Sequence, residues 1–281
     1  MEYRELTASE KRWRRVLKIL AKLALAVAVY GVLVVAARFL HRRVLYQPPD
    51  GDVKAALPEG AALLTTKAAD GVDVHALEFV APKAKRTLVH FHGNAETADD
   101  NASLAREFVK KGFSIVLVEY RGYGRSRGTS PTEEGLYADA SAVLDLLKTR
   151  GASTNDIVLW GQSLGTGVAV EMARQNRGSR LVLVAPLTST VDLANRVAPF
   201  FPLSFVMADK FDTISKAPSI AFPTLVVHGD IDDVIPFEEG ERVSQALPKA
   251  TLLKVPEGRH DNLYKSVTVT SAIAAHASAE R

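Results

Sequence analysis

The 281-residue chain contains no cysteine. Disulfides, thiolate metal sites and cysteine nucleophiles are therefore excluded, although a core of this size needs no disulfide and the compartment stays open. No pair among its seven histidines has metal-ligand spacing, so no metal is expected. Low-complexity tracts and internal repeats are missing as well. Net charge is only +3 and unevenly placed: residues 1–43 hold ten Lys/Arg against three Glu, and the remainder holds 25 basic and 29 acidic residues. The mildly acidic remainder has no basic stripe, which argues against a nucleic-acid partner.

Charge is also missing from Leu23 to Ala37, "LALAVAVYGVLVVAA". This run is short of the ~20 residues with which a helix crosses a bilayer. Lys18, Lys22 and Arg38 at its ends can snorkel to the headgroups, and Ile19 to Leu40 then suffices. Lys11, Arg15, Lys18 and Lys22 share one helical face that suits anionic lipid. The basic flanks "KRWRR" and "HRR" argue against a core helix, and "AARFLHRRVLYQPP" makes a poor signal-peptide cleavage site. The expectation is a basic segment over residues 1–18 and a single-pass transmembrane helix over 19–40. Positive charge is denser before the span than after it, which predicts a cytoplasmic N-terminus and a body on the outer side. Prolines in "YQPPDGD" break any helix, and residues 41–60 read as a linker that lifts the body, residues 61–281, off the membrane.

Two alternating stretches, "ALLTTKAA" and "VDVHALEFV", flank Asp70-Gly71 and predict a hairpin. Six short apolar runs follow: "TLVHFH", "SIVLVEY", "IVLWG", "LVLVAP", "TLVVHG" and "TLLKVP". Runs apolar on both faces suit central strands of a parallel sheet with helices on both sides. Helical patterns over 97–111, 132–149, 164–177, 190–198, 238–247 and from about 263 alternate with them. The fold class is α/β, a mostly parallel sheet whose functional residues collect at its carboxyl edge.

"IVLWGQSLGTGVAVEMA" runs from a strand through Gly161, Ser163 and Gly165 into a helix. This G-x-S-x-G strand–turn–helix is the setting of a nucleophile elbow. Serine needs a base, and that base an acid to orient it. His260 lies in the polar loop "VPEGRHDNLY", and Asp230, Asp232 and Asp233 compete for the acid in "VVHGDIDDVIP", with Asp232 preferred. The order Ser163, Asp232, His260 is the one that accompanies this elbow. His90 and His228 fall inside apolar strands and are expected to be buried and hydrogen-bonded. His92 is expected to brace the loop "HGNAET". The amides of Asn94 and Leu164 are the candidate oxyanion donors.

In these five stretches, "YQPP", "HFHGNAET", "EYRGYGRSRGTSPTEEG", "WGQSLGTGVA" and "HGDIDDVIP" with "GRHDNLY", the chain resembles the α/β-hydrolase superfamily over roughly residues 60–281. More narrowly it is similar to the membrane-anchored branch that includes lipid esterases and acyl-protein thioesterases. The resemblance implies an α/β-hydrolase fold, the triad Ser163, Asp232 and His260, and oxyanion amides at Asn94 and Leu164. It implies no cofactor. Two residues depart from the family pattern: Glu96 stands where a glycine is frequent, and Glu119 where an aspartate is usual. Tyr120 and Arg121 are candidates for the rim of the site. "VAPFFPLSFVMADKF" occupies the place of a cap, with Phe200, Phe201, Phe205 and Met207 either gripping an acyl chain or belonging to the core. The reading is a membrane-tethered serine hydrolase cleaving esters or thioesters of apolar acyl groups. Its rival is a catalytically silent scaffold of the same fold that binds a lipid or protein at the membrane. Nothing in the sequence specifies an oligomeric state.

Overall fold

The computed structural model describes residues 7–50 and 56–279. The rest of the expected basic segment, residues 1–6, and of the expected linker, residues 51–55, lies outside the described residues. Eight strands form one sheet in the order β1-β2-β4-β3-β5-β6-β7-β8. They are β1 (Ala62–Lys67), β2 (Asp73–Phe79), β3 (Thr87–Phe91), β4 (Ser114–Glu119), β5 (Ile157–Gln162), β6 (Arg180–Val184), β7 (Thr224–Gly229) and β8 (Ala250–Val255). The predicted hairpin is β1–β2, in antiparallel register from Ala62 opposite Glu78 to Lys67 opposite Asp73. β2 is antiparallel to β4, and every later pairing is parallel.

Strands apolar on both faces feed two cores. On one face Val89, Phe91, Val116 and Leu159 pack with α3 (Glu133–Thr149), α4 (Gly165–Arg174) and α8 (Phe237–Ala246). On the other, Leu88, Ile115, Leu117 and Trp160 pack with α2 (Ala102–Lys110) and α9 (Val267–Ser278). Two expected helices begin late. Residues 97–101 form a turn in which the amide and hydroxyl of Thr97 donate to Asp100, which competes with helix start. Before α9, Leu263–Lys265 form a 3₁₀ turn that Ser266, in extended backbone, separates from the helix.

The N-terminal helix α1 (Ala8–Leu45) begins in a Thr7–Glu10 capping box and runs beyond both expected ends of the span. Residues 41–45 are therefore helical rather than linker. Tyr46, the first residue after α1, is buried in the core, its ring 6.4 Å from that of Phe211. The linker expectation missed this because an aromatic before two prolines reads as polar punctuation when its packing partner is far away in sequence. α1 meets the body along its second half, beside the cap formed by α5 (Thr190–Val197) and α6 (Leu203–Val206). There the Tyr30 hydroxyl donates to the Phe200 carbonyl at 2.9 Å, and Arg42 Nε donates to Asp209 Oδ2 at 2.6 Å.

Candidate active site

β5 delivers Ser163 and α4 leaves it. The backbone there is forced: Ser163 sits at φ 49°, in the left-handed region that costs an L-residue about 1–2 kcal/mol. The turn persists because its surroundings fix it. The Ser163 amide donates to Val184 on β6 at 2.9 Å, and Thr166 Oγ1 donates to the Ser163 carbonyl at 2.6 Å. A Cβ on Gly161 would strike the Gly165 backbone, and one on Gly165 would strike the Phe91 carbonyl at the end of β3. The two glycines are therefore what lets the elbow sit against the sheet.

The loops after β7 and β8 bring the partners. His260 Nε2 lies 3.0 Å from Ser163 Oγ, and His260 Nδ1 lies 2.8 Å from Asp232 Oδ2. A carboxylate only accepts, so Nδ1 carries the proton and Nε2 is left to accept from the serine. The other oxygen, Asp232 Oδ1, accepts from the amides of Val234 and Ile235 at 2.9 and 2.8 Å. Burial raises the Asp232 carboxyl. The hydrogen bond and charge of His260, with these two amides, outweigh burial and leave it below the ordinary carboxylate value. Of the competing acids, Asp233 pairs outward with Arg259 at 2.6 Å, and Asp230 lies 3.9 Å from Lys254. His228 is buried, its Nε2 donates to the Ile235 carbonyl at 2.8 Å, and burial holds it below its ordinary value. His90 is buried with no partner for Nε2, unlike the expectation, and burial pushes it down to about 3.

Beside Ser163, the amides of Asn94 and Leu164 have no protein acceptor among the described residues. His92 Nδ1 bonds the Gly93 carbonyl at 2.7 Å. In a trans peptide the next N–H points the opposite way, so His92 aims the Asn94 amide. Tyr120, expected at the rim, is fully buried and donates to the His92 carbonyl at 3.2 Å. Arg121 is buried against Asp139 and Asp70. Tyr120 thus lies beneath the His92 loop, and Arg121 ties the end of β4 to α3 and to the β1–β2 turn. The Glu96 carboxylate turns to Asn101 Nδ2 at 2.8 Å, tucked over Gly93.

A cavity of about 410 Å³ opens from Ser163, Leu164 and Asn94. Its walls are apolar: Leu187, Leu193, Leu203, Met207 and Ile235 from the body and cap. Sequence reasoning missed the opposite wall, which is Ala37, Leu40, His41 and Val44 of α1. Their i, i+3, i+4, i+7 spacing was visible beside Arg38, Arg42 and Arg43, but reading residues 41–60 as linker cut the stripe in two. Of the cap residues singled out, Met207 lines the cavity, whereas Phe200 and Phe205 point outward and belong to neither cavity nor core.

An elbow serine, a strand-end histidine and acid, and free loop amides on a mostly parallel sheet define the hydrolase class of α/β folds. The comparisons agree. Residues 82–211 match the family described as serine aminopeptidase, S33. An uncharacterized protein of Mycobacterium tuberculosis is 33% identical over 231 residues, 79% of this chain and 81% of that protein. Lysophosphatidylserine lipase ABHD12 of Xenopus tropicalis is 30% identical over 234 residues, which span 76% of this chain and 60% of that one. Among solved structures, an esterase of Pyrococcus furiosus superposes with a TM-score of 0.66 at 20% identity, covering 81% of this chain and 96% of that one. The chain belongs to the α/β-hydrolase superfamily.

Proposed function

We propose that this protein is a membrane-tethered serine hydrolase that cleaves carboxylic esters or thioesters of apolar acyl groups. The observation that carries the reading is the continuous relay from Asp232 through His260 to Ser163, 2.8 and 3.0 Å long, at the end of an apolar cavity. In this reading Ser163 Oγ attacks the acyl carbonyl while His260 Nε2 takes its proton. The amides of Asn94 and Leu164 receive the oxyanion. His260 returns the proton to the departing alcohol or thiol, leaving an acyl group on Ser163. Water then attacks that acyl group with His260 as base, and the free acid leaves. Asp232 holds the imidazole tautomer throughout, and no cofactor enters any step. The name of the lysophosphatidylserine lipase relative agrees with a lipid-like acyl substrate.

Tethering rests on α1, which is long and apolar enough to cross a membrane and has no buried residue. The charge bias along it supports a cytoplasmic N-terminus and an outer catalytic body. Fluorophosphonate labelling of the full chain tests the chemistry. Labelling is expected at Ser163, absent in Ser163→Ala and sharply reduced in His260→Ala. Labelling that survives both changes overturns the reading, and no labelling of the wild type favours the silent scaffold.

A further inference from the structure

From Val197 to Ala208, "VAPFFPLSFVMA", no residue is charged. Three of its large side chains face outward: Val197, Phe200 and Phe205 are 87%, 88% and 81% exposed. A soluble surface rarely leaves such residues together in water, and contiguous apolar patches mark membrane or partner sites. The neighbour of this patch is the apolar part of α1. The Tyr30 hydroxyl donates to the Phe200 carbonyl at 2.9 Å, and the Tyr30 and Phe201 rings lie 5.8 Å apart. One end of the contact is the midpoint of the uncharged run Leu23–Ala37, and the other is Arg38, whose Nη1 donates to the Phe205 carbonyl at 3.2 Å. Eight residues of helix separate Tyr30 from Arg38, about 12 Å of rise. The cap tip thus occupies the depth of roughly one leaflet beside the helix.

The cavity leads to the same place. It extends from Ser163 between the cap and α1, with Val197 on one wall and Ala37, Leu40 and Val44 on the other. Resting on the hydrolase reading above, we infer that the cap tip is immersed in the leaflet around α1, and that acyl substrates reach Ser163 from that leaflet along α1. The occupant of the exposed patch is lipid. The patch is continuous with a helix of membrane-crossing length, carries no charge, and flanks a cavity whose wall is that helix. A substrate entering this way moves between two apolar surroundings and never exposes its chain to water, while the scissile carbonyl meets the loop amides.

The absence of cysteine makes the test direct. In the full chain, single cysteines at Phe200→Cys, Phe205→Cys and, as a control before β7, Ser219→Cys are labelled with the fluorophore NBD and reconstituted in phosphatidylcholine vesicles. Positions 200 and 205 are expected to lose most of their emission to doxyl-labelled lipid and little to aqueous iodide, with position 219 showing the reverse. Quenching of 200 and 205 by iodide overturns the inference, and protection from both quenchers assigns the patch to a protein partner or second copy instead. In parallel, Phe200→Asp/Phe205→Asp is expected to slow hydrolysis of a long-chain ester held in vesicles at least tenfold while p-nitrophenyl acetate turnover stays within twofold. Equal effects on both esters overturn lateral entry. A wild type that neither labels with fluorophosphonate nor turns over acetate overturns the hydrolase reading, and the depth of the cap is then decided by quenching alone.

Discussion

Exchanging Asp232 for Asn tests the relay at its least visible link. The substitution keeps shape, removes the charge and turns one acceptor into a donor. Which end becomes the donor is set by the loop. Oδ1 accepts from two backbone amides, at 2.9 Å from Val234 and 2.8 Å from Ile235. An NH2 group facing two N–H donors would leave all of them unpaired, so the Asn oxygen takes that side. Its NH2 then points at His260 Nδ1, which must give up its proton to accept. The proton moves to Nε2, and Nε2 now donates toward Ser163 instead of accepting from it. The base is lost without moving an atom. A wrong tautomer of this kind costs about 10⁴-fold in kcat, equivalent to about 5 kcal/mol of barrier. The assay is kcat on p-nitrophenyl butyrate for the full chain in detergent, with the rate of fluorophosphonate labelling falling in step and the melting curve reporting the fold. Asp230→Asn and Asp233→Asn, outside the relay, are expected to change the rate by no more than about twofold. An Asp232→Asn protein that keeps a tenth of wild-type activity refutes the argument.

Ser163→Gly removes the nucleophile and relieves a residue at φ 49°. Net of the entropy glycine adds to the unfolded chain, it is expected to stabilise by about 1 kcal/mol, raising Tm by about 2–4 °C while abolishing labelling. A lower Tm would mean that the elbow is unstrained. Gly165→Ala pushes a methyl group into the Phe91 carbonyl and is expected to cost about 1–3 kcal/mol, read as a lower Tm. Glu171 is raised by burial, but Arg174, Gln175 and Lys216 outweigh this and bring it from 4.5 to about 2. A depressed carboxyl contributes stability that is present above the unfolded value and lost as pH falls through the folded one. Wild-type Tm is therefore expected to fall more steeply than that of Glu171→Gln between pH 4.5 and about 2, and parallel curves would contradict this.

The elbow was legible because its signal is local. Gly161, Ser163 and Gly165 lie within five residues, and the strand before them and helix after them follow from apolar patterning. The hairpin and the mostly parallel sheet covered on both faces follow in the same way from runs apolar on one or both faces, whereas the order of the strands does not. Asp232 required more. Three acids share its loop, and only folding shows that Asp233 pairs outward with Arg259 while Asp232 turns in to His260. Tyr120 and Arg121 looked like rim residues because they sit beside glycines, yet their polar ends are consumed beneath the loop by the His92 carbonyl and by Asp139. Least legible was the contact between α1 and the cap, since its two sides lie about 170 residues apart in the chain. Arg38, Arg42 and Arg43 flank the apolar stripe of residues 37–44, but periodicity shows a stripe without showing whether lipid or protein covers it.

That contact changes what the N-terminal helix is for. Asp209 has no exposed side-chain surface, and it accepts from Arg42 Nε at 2.6 Å and from the Glu133 amide at 2.8 Å, with His41 Nε2 at 3.4 Å. A buried carboxylate deprived of its cation is costly, so sliding α1 by one turn would break the pairing at a cost of about 3–5 kcal/mol. The ion pair therefore fixes the helix in one register against the cap. In that register, and not one turn away, Ala37, Leu40 and Val44 face the cavity that begins at Ser163. A helix acting only as a tether needs no register, and a flexible linker would serve it better. Here the prolines after Tyr46 follow a residue locked in the core, leaving no slack between helix and body. Cutting the chain after Arg43 would remove Ala37, Leu40 and His41 from the cavity wall and deprive the buried Asp209 of Arg42, so the truncated protein would differ from the full chain in its site.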